Sequence, residues 1–146
     1  MGEFLNIRAG LYSVLTACGP YSAGEVSTCD FGILSGVSGC AIIYMPGSTR
    51  INPQAFGRNP ARNDDRLWGI EGEIYVKDTG DPTGFIARCW QAPDDFFTTL
   101  NKDGTLAGAA DDARITQMDY VGEGRDTAGQ LFGVIRFTIV AEKITS

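Results

Sequence analysis

Arginine is the residue whose placement in this chain most invites chemistry. Arg50, Arg58, Arg62 and Arg66 fall inside one stretch, 46–66 (PGSTRINPQAFGRNPARNDDR), while the whole chain carries a formal charge of −6. The guanidinium group offers a planar fork of donors that suits carboxylates and phosphates alike. A basic segment on an acidic body points to contact with another acidic surface, a second copy of the same chain included. Arg125, in a second polar stretch at 122–129, joins this set of expected subunit or partner contacts.

Other reactive residue types argue against catalysis. Nucleophilic chemistry needs an activated Ser, Cys or Thr beside a base, and the chain contains no histidine. Gly36-Val37-Ser38-Gly39 does not match the G-x-S-x-G nucleophile turn. Gly122-Glu123-Gly124 lacks the third glycine of a phosphate loop and reads as part of a hairpin. Asp64-Asp65, Asp94-Asp95 and Asp111-Asp112 could ligate a divalent cation or act as acid and base. Adjacent carboxylates rarely converge on one point, however, and none has the spacing of a calcium loop. Cys18, Cys29, Cys40 and Cys89 lack the close pairing of a zinc site and read as buried free thiols. No catalytic residue, metal or cofactor is expected, and the chain is not read as an enzyme.

Several elements must position the arginines. Phe4, Ile7, Leu11, Val14, Leu15 and Cys18 form a helical stripe over residues 3–18, stopped by Gly19-Pro20. Residues 21–39 are rich in Gly and Ser; Phe31, Ile33, Leu34 and Val37 there should dock through a short turn of helix. Residues 40–45 (CAIIYM) suit a buried strand, and 67–77 alternate as a half-buried one, with Gly72 marking a bulge or close packing. Between them, Pro46, Pro53 and Pro60 predict an extended loop without regular structure. Asp81-Pro82 opens a helix carrying Phe85, Ile86, Cys89 and Trp90. Pro93 then breaks or kinks it, Asp94-Asp95 begin a second stretch, and Phe96, Phe97 and Leu100 point inward. Trp68 and Trp90 lie on apolar stripes and are assigned to the core. Two strands, 114–121 and 131–141, close the chain around a long polar tip at 122–129. The expected fold is α+β: an antiparallel sheet of about four strands, helices packed on one face, and an extended loop between the first and second strands.

With 146 residues the chain is expected to form a single domain, 1–146. Its acidity argues against general affinity for nucleic acid or anionic membrane, and no apolar run reaches the roughly 20 residues of a membrane span. Glu3 precedes Arg8, the wrong order for a secretory signal, so synthesis in the cytosol is expected.

The order of elements resembles the tail terminator proteins of long, non-contractile-tailed bacteriophages. The likeness rests on the N-terminal helix, on Ala41-Ile42-Ile43-Tyr44-Met45-Pro46, and on the extended segment before Trp68. It continues through Asp94–Asn101 and the following D-x-T-L-x-G turn, Asp103-Gly104-Thr105-Leu106-Ala107-Gly108, to the closing strand 132–143. The resemblance implies a structural virion protein, assembled in the host cytoplasm, that forms a homohexameric ring on the tail tube. Its partners would be itself, the tail tube protein and the head–tail connector, with DNA passing through the channel without specific binding. Another neck ring protein, for head closure or tail completion, is the alternative within that class. A small-ligand-binding module or a divalent-dependent hydrolase is the alternative outside it.

Overall fold

The computed structural model describes residues 2–28, 31–36, 39–53, 64–126 and 128–145. Helix α1 spans Glu3–Cys18 and buries Ile7, Leu11, Val14 and Leu15, the stripe expected from the spacing. A 3-10 turn (Ala23–Glu25) leads into the three-residue strand β1 (Val26–Thr28), and a second 3-10 turn (Phe31–Gly36) follows. Strands β2 (Cys40–Pro53) and β3 (Asp64–Lys77) precede helix α2 (Pro82–Asn101), and β4 (Asp112–Arg125) and β5 (Leu131–Thr145) complete the chain.

The architecture is α+β, but the sheet has five strands in the order β1-β2-β3-β5-β4 and is mixed rather than antiparallel throughout. The expectation of about four antiparallel strands missed β1, which pairs parallel to β2 from Val26↔Ile42 to Thr28↔Tyr44. So short a strand leaves too few residues for an alternation to show.

The stretch 46–66 is also not one loop. Strand β2 continues through Pro46 to Pro53, β3 begins at Asp64, and the two pair from Pro53↔Asp64 inward. Proline is compatible with this position because, among the described residues, no strand pairs with the outer edge of β2 beyond Tyr44. A register shift between Pro46 and Thr49 absorbs the irregularity. Residues 54–63 lie outside the described residues.

Both α-helices cover the same face of the sheet. Ile7 and Leu11 of α1 and Phe85, Phe96 and Leu100 of α2 share one core with Ile42, Ile74, Ile135 and Phe137 from the strands. On the opposite face a smaller cluster gathers Ala41, Ile43 and Phe132 under Leu34 from the second 3-10 turn. Gly72 serves close packing: a Cβ there would strike the Phe137 ring and the Ile43 carbonyl oxygen. Phe137 in turn lies 4.4 Å from Phe96, ring centre to ring centre, joining sheet to helix.

Pro93 does not divide α2. The helix is continuous with Pro93 inside it, so Asp94 and Asp95 lie mid-helix and not in a first turn. Ala92, Phe96 and Leu100 are all buried around the proline. Burying such side chains, at roughly 1.5–3 kcal/mol for each large one, outweighs the ~3 kcal/mol that an internal proline costs. Lys102, just beyond α2, donates from Nζ to the Cys18 carbonyl at 2.8 Å and so caps the C-terminus of α1.

Candidate interaction surface

Helix α2 carries two apolar stripes, one residue out of phase. Phe85, Ala92, Phe96 and Leu100 form the buried one. Ile86, Trp90, Pro93 and Phe97 form the other, at spacings of four, three and four residues. Expected inside, Trp90 is 82% exposed and Phe97 52% exposed, with Ile86 at 57%. The reason is rotation. Successive helix residues are about 100° apart, so Phe96 and Phe97 cannot both face a single sheet.

Strand β4 continues this surface. It is an edge strand, with Tyr120 exposed beside α2 and Val121 exposed next to it in sequence. Register shifts between Ile115 and Gln117 and between Tyr120 and Gly122 mark two bulges, which account for the imperfect alternation of residues 114–121. Bulges and the exposed charges of Asp112, Arg114, Asp119, Glu123 and Arg125 guard the strand's free edge against pairing with another strand. The apolar side chains therefore offer a surface for side-chain docking. Between α2 and β4 lies a cleft of about 470 Å³, floored by Phe85 and Ile135 and walled by Ile86, Trp90, Met118 and Tyr120. Leaving most of an indole in water forgoes on the order of 4 kcal/mol of burial.

A second, smaller cavity of about 210 Å³ opens between α1 and the β1–β2 edge of the sheet. Phe4, Leu5, Met45, Pro46 and Ile70 supply its apolar lining, and Arg8 stands on its wall. The Tyr44 hydroxyl in this wall donates to the Arg8 carbonyl at 3.2 Å, and Leu5 is 45% exposed.

Among the described residues, the arginines expected to contact partners fall at two ends of the sheet. Arg50 lies on β2 opposite Leu67, next to the Ile51↔Arg66 pair, so Arg50 and Arg66 share the β2–β3 hairpin. Arg58 and Arg62 lie outside the described residues. Arg66 pairs with Glu3 at 3.3 Å. Arg125 sits at the far end of the sheet, opposite Leu131, and donates to the Gly129 carbonyl at 2.9 Å. The row of Arg66 and that of Lys77, at Arg125's end, are separated by roughly 35 Å of strand. The polar tip is shorter than 122–129, because β4 runs to Arg125 and Asp126 closes the turn by accepting from the Ala128 and Gln130 amides.

Other reactive groups are dispersed too. Asp95 accepts from Gln91, Asp111 lies 4.0 Å from Lys143, and Asp112 pairs with Arg114 at 3.0 Å. Among the described residues no group of three or more Cys, Asp or Glu is placed to hold a metal ion, and no helix is long and apolar enough to cross a membrane. Cys18, Cys40 and Cys89 are free thiols, as expected, but are partly rather than fully buried; Cys29 lies outside the described residues. The residues that sequence reasoning missed are Ile86, Trp90, Phe97, Tyr120 and Val121. For Ile86, Trp90 and Phe97 the signal was present in α2, where the adjacent apolar pairs 85/86 and 96/97 make the apolar arc too wide for one buried face. No protein-family model matches the chain, and comparison with curated proteins gives no match.

Proposed function

We propose that this chain is a structural virion protein, the tail terminator of a long, non-contractile-tailed bacteriophage. It would close as a homohexameric ring on the end of the tail tube and join the tail to the head connector. The observation that carries this reading is the exposed stripe of Ile86, Trp90 and Phe97 beside an edge strand protected against strand pairing. Such a surface fits docking of folded subunits. The D-x-T-L-x-G segment that carries the family resemblance supports it as well, forming an ordered turn against α1. An acidic body suits a channel through which DNA slides without adhering. Function then lies in the shape of docking surfaces, not in bond-making chemistry.

The test is to mix the purified chain with its tail tubes and image them by electron microscopy. Rings capping one tube end and arrest of further polymerisation are expected. Tubes that grow on uncapped would refute the assignment. Reversing charge at Arg58 and Arg62 is expected to weaken ring formation or tube docking.

The cleft between α2 and β4 favours a second reading, a small-ligand-binding module, since its volume falls within the usual 300–1,000 Å³ range of ligand pockets. Saturable binding of a small apolar compound by an obligate monomer would favour that reading.

A further inference from the structure

The geometry points to a knob-into-hole contact between copies of this chain, in which Trp90 of one copy seats in the cavity between α1 and β2 of the next. This inference rests on the ring reading above and names the surfaces that would close the ring.

Three observations converge on a second copy as the occupant. First, size and chemistry match. Trp90 projects from α2 with 82% of its surface exposed, and the receiving cavity is apolar and holds about 210 Å³. A cavity of about 150 Å³ admits benzene, so this one has room for a larger aromatic group. Second, the two features flank opposite edges of the sheet. The knob lies over β4 and β5, while the cavity is walled by Thr28 of β1 and Tyr44 of β2. A patch on one side that fits a different patch on the other makes a head-to-tail contact, the kind that closes into rings. Third, the charges are complementary. Asp94 is exposed one turn from Trp90, and Glu123 lies on the wall of the adjoining cleft. Arg8, exposed on the wall of the receiving cavity, makes no ion pair among the described residues. Docking the indole brings Arg8 toward Asp94 of the neighbour, where opposite charge also selects the correct partner face.

The experiment is sedimentation velocity over a concentration series with the wild type and two surface variants. Trp90→Glu removes the knob and keeps the hole; Leu5→Glu charges the mouth of the hole and keeps the knob. Both residues are exposed, so folding should be retained, which circular dichroism checks. The wild type should assemble with concentration, and each variant alone should associate at least about 30-fold more weakly, the loss expected at a tryptophan hot spot. An equimolar mixture of the two should form a one-to-one dimer, because one intact knob and one intact hole remain between them. Arg8→Glu should weaken assembly, and adding Asp94→Arg in the same chain should restore it.

Wild-type-like assembly by both variants would overturn this contact while leaving the ring reading intact with another interface. Assembly lost in Trp90→Glu but retained in Leu5→Glu would make the Trp90 surface self-complementary, which also overturns the proposal. A wild type monomeric up to its solubility limit would overturn it too. Ring formation on tail tubes would then judge the ring reading separately.

Discussion

The carbonyl oxygen of Leu106 occupies the space that a side chain at Gly10 would need. Gly10 sits in the middle of α1, where glycine costs roughly 1 kcal/mol relative to alanine. What offsets that cost is docking of the turn after α2. Leu106 and Ala107 adopt left-handed backbone angles, φ 51° and 57°, and the Leu106 side chain is fully buried. The obstacle at Gly10 is backbone, which cannot swing aside as a flexible side chain can. Gly10→Ala should therefore destabilise by about 1–2 kcal/mol net despite the better helix former, since overpacking typically costs 1–3 kcal/mol. A lower urea midpoint with an unchanged slope is the expected readout; a higher midpoint would show that the contact does not constrain the helix.

Asp103 holds the same turn. Its Oδ1 accepts from the Thr105 hydroxyl at 2.6 Å and the Thr105 amide at 3.0 Å, and Oδ2 accepts from the Ala107 amide at 3.0 Å. The Thr105 hydroxyl first, then the two amides, hold the carboxyl below its ordinary value of 3.8. A carboxyl depressed in the folded state adds stability above its unfolded value, and this is lost as pH falls through the folded value. Wild type should thus be more stable than Asp103→Asn near neutral pH, and the gap should shrink below pH 3.8. Urea midpoints measured across acid pH check this; a gap independent of pH would mean that the charge contributes nothing.

Much of the framework was legible because its periodicity is local. Residues 3–18 form the expected helix with the expected buried stripe, and Leu131, Ile135, Phe137, Ile139 and Ala141 do share one face of β5. What misled were residues whose meaning depends on neighbours distant in sequence. Pro46 argued for a loop, yet β2 continues through it, with Pro46 opposite Ile70 of β3. Pro93 argued for a break, yet core contacts on both sides carry the helix through it. Trp90 looked like core because α2 has apolar residues on two faces, and only the sheet's position decides which face is covered. The surface containing Trp90 was therefore hidden in the sequence, whereas Arg50 and Arg66 drew notice by charge alone.

Adjacent phenylalanines should behave in opposite ways. Phe96 is fully buried against Phe137, while Phe97 is 52% exposed. Phe96→Ala should cost about 3–5 kcal/mol by leaving a cavity in the core. Phe97→Ala should change monomer stability by no more than about 0.5 kcal/mol. Chemical denaturation at dilution distinguishes the two; comparable losses would mean that Phe97 is not on a free face.

Cys40 should resist modification in the native protein. Burial above all, followed by the charges of Glu25 and Asp95, pushes its thiol up from 9.0 to about 12. At pH 8 the native thiolate is then scarce, roughly one molecule in 10⁴, and the thiolate is the reactive form. Because the folded value is raised, the associated stability is fully present below 9.0 and is lost as pH rises toward 12. Iodoacetamide at pH 8 should alkylate Cys40 only after urea unfolding, as read by peptide mass spectrometry. Rapid native labelling would contradict the burial that raises the Cys40 thiol.

Glu3 ties the start of α1 to β3 near the Pro53↔Asp64 end of the β2–β3 hairpin. Its Oε1 accepts from the Trp68 indole at 2.6 Å and its Oε2 from the Arg66 guanidinium at 3.3 Å, while Phe4 stacks on Trp68 at 4.8 Å. The two contacts should differ in strength. Arg66 is 34% exposed, so its ion pair is screened and contributes less than about 1 kcal/mol. The indole N–H is half-buried, and losing its acceptor leaves an unsatisfied donor at a cost of about 1–3 kcal/mol. Glu3→Gln keeps an acceptor for Trp68 and removes the charge, so it should lose under 1 kcal/mol. Glu3→Ala removes both contacts and should lose about 2 kcal/mol, with a change in Trp68 fluorescence measurable in a Trp90→Phe background. Equal losses in the two variants would assign the effect to charge at the helix N-terminus and not to the indole hydrogen bond.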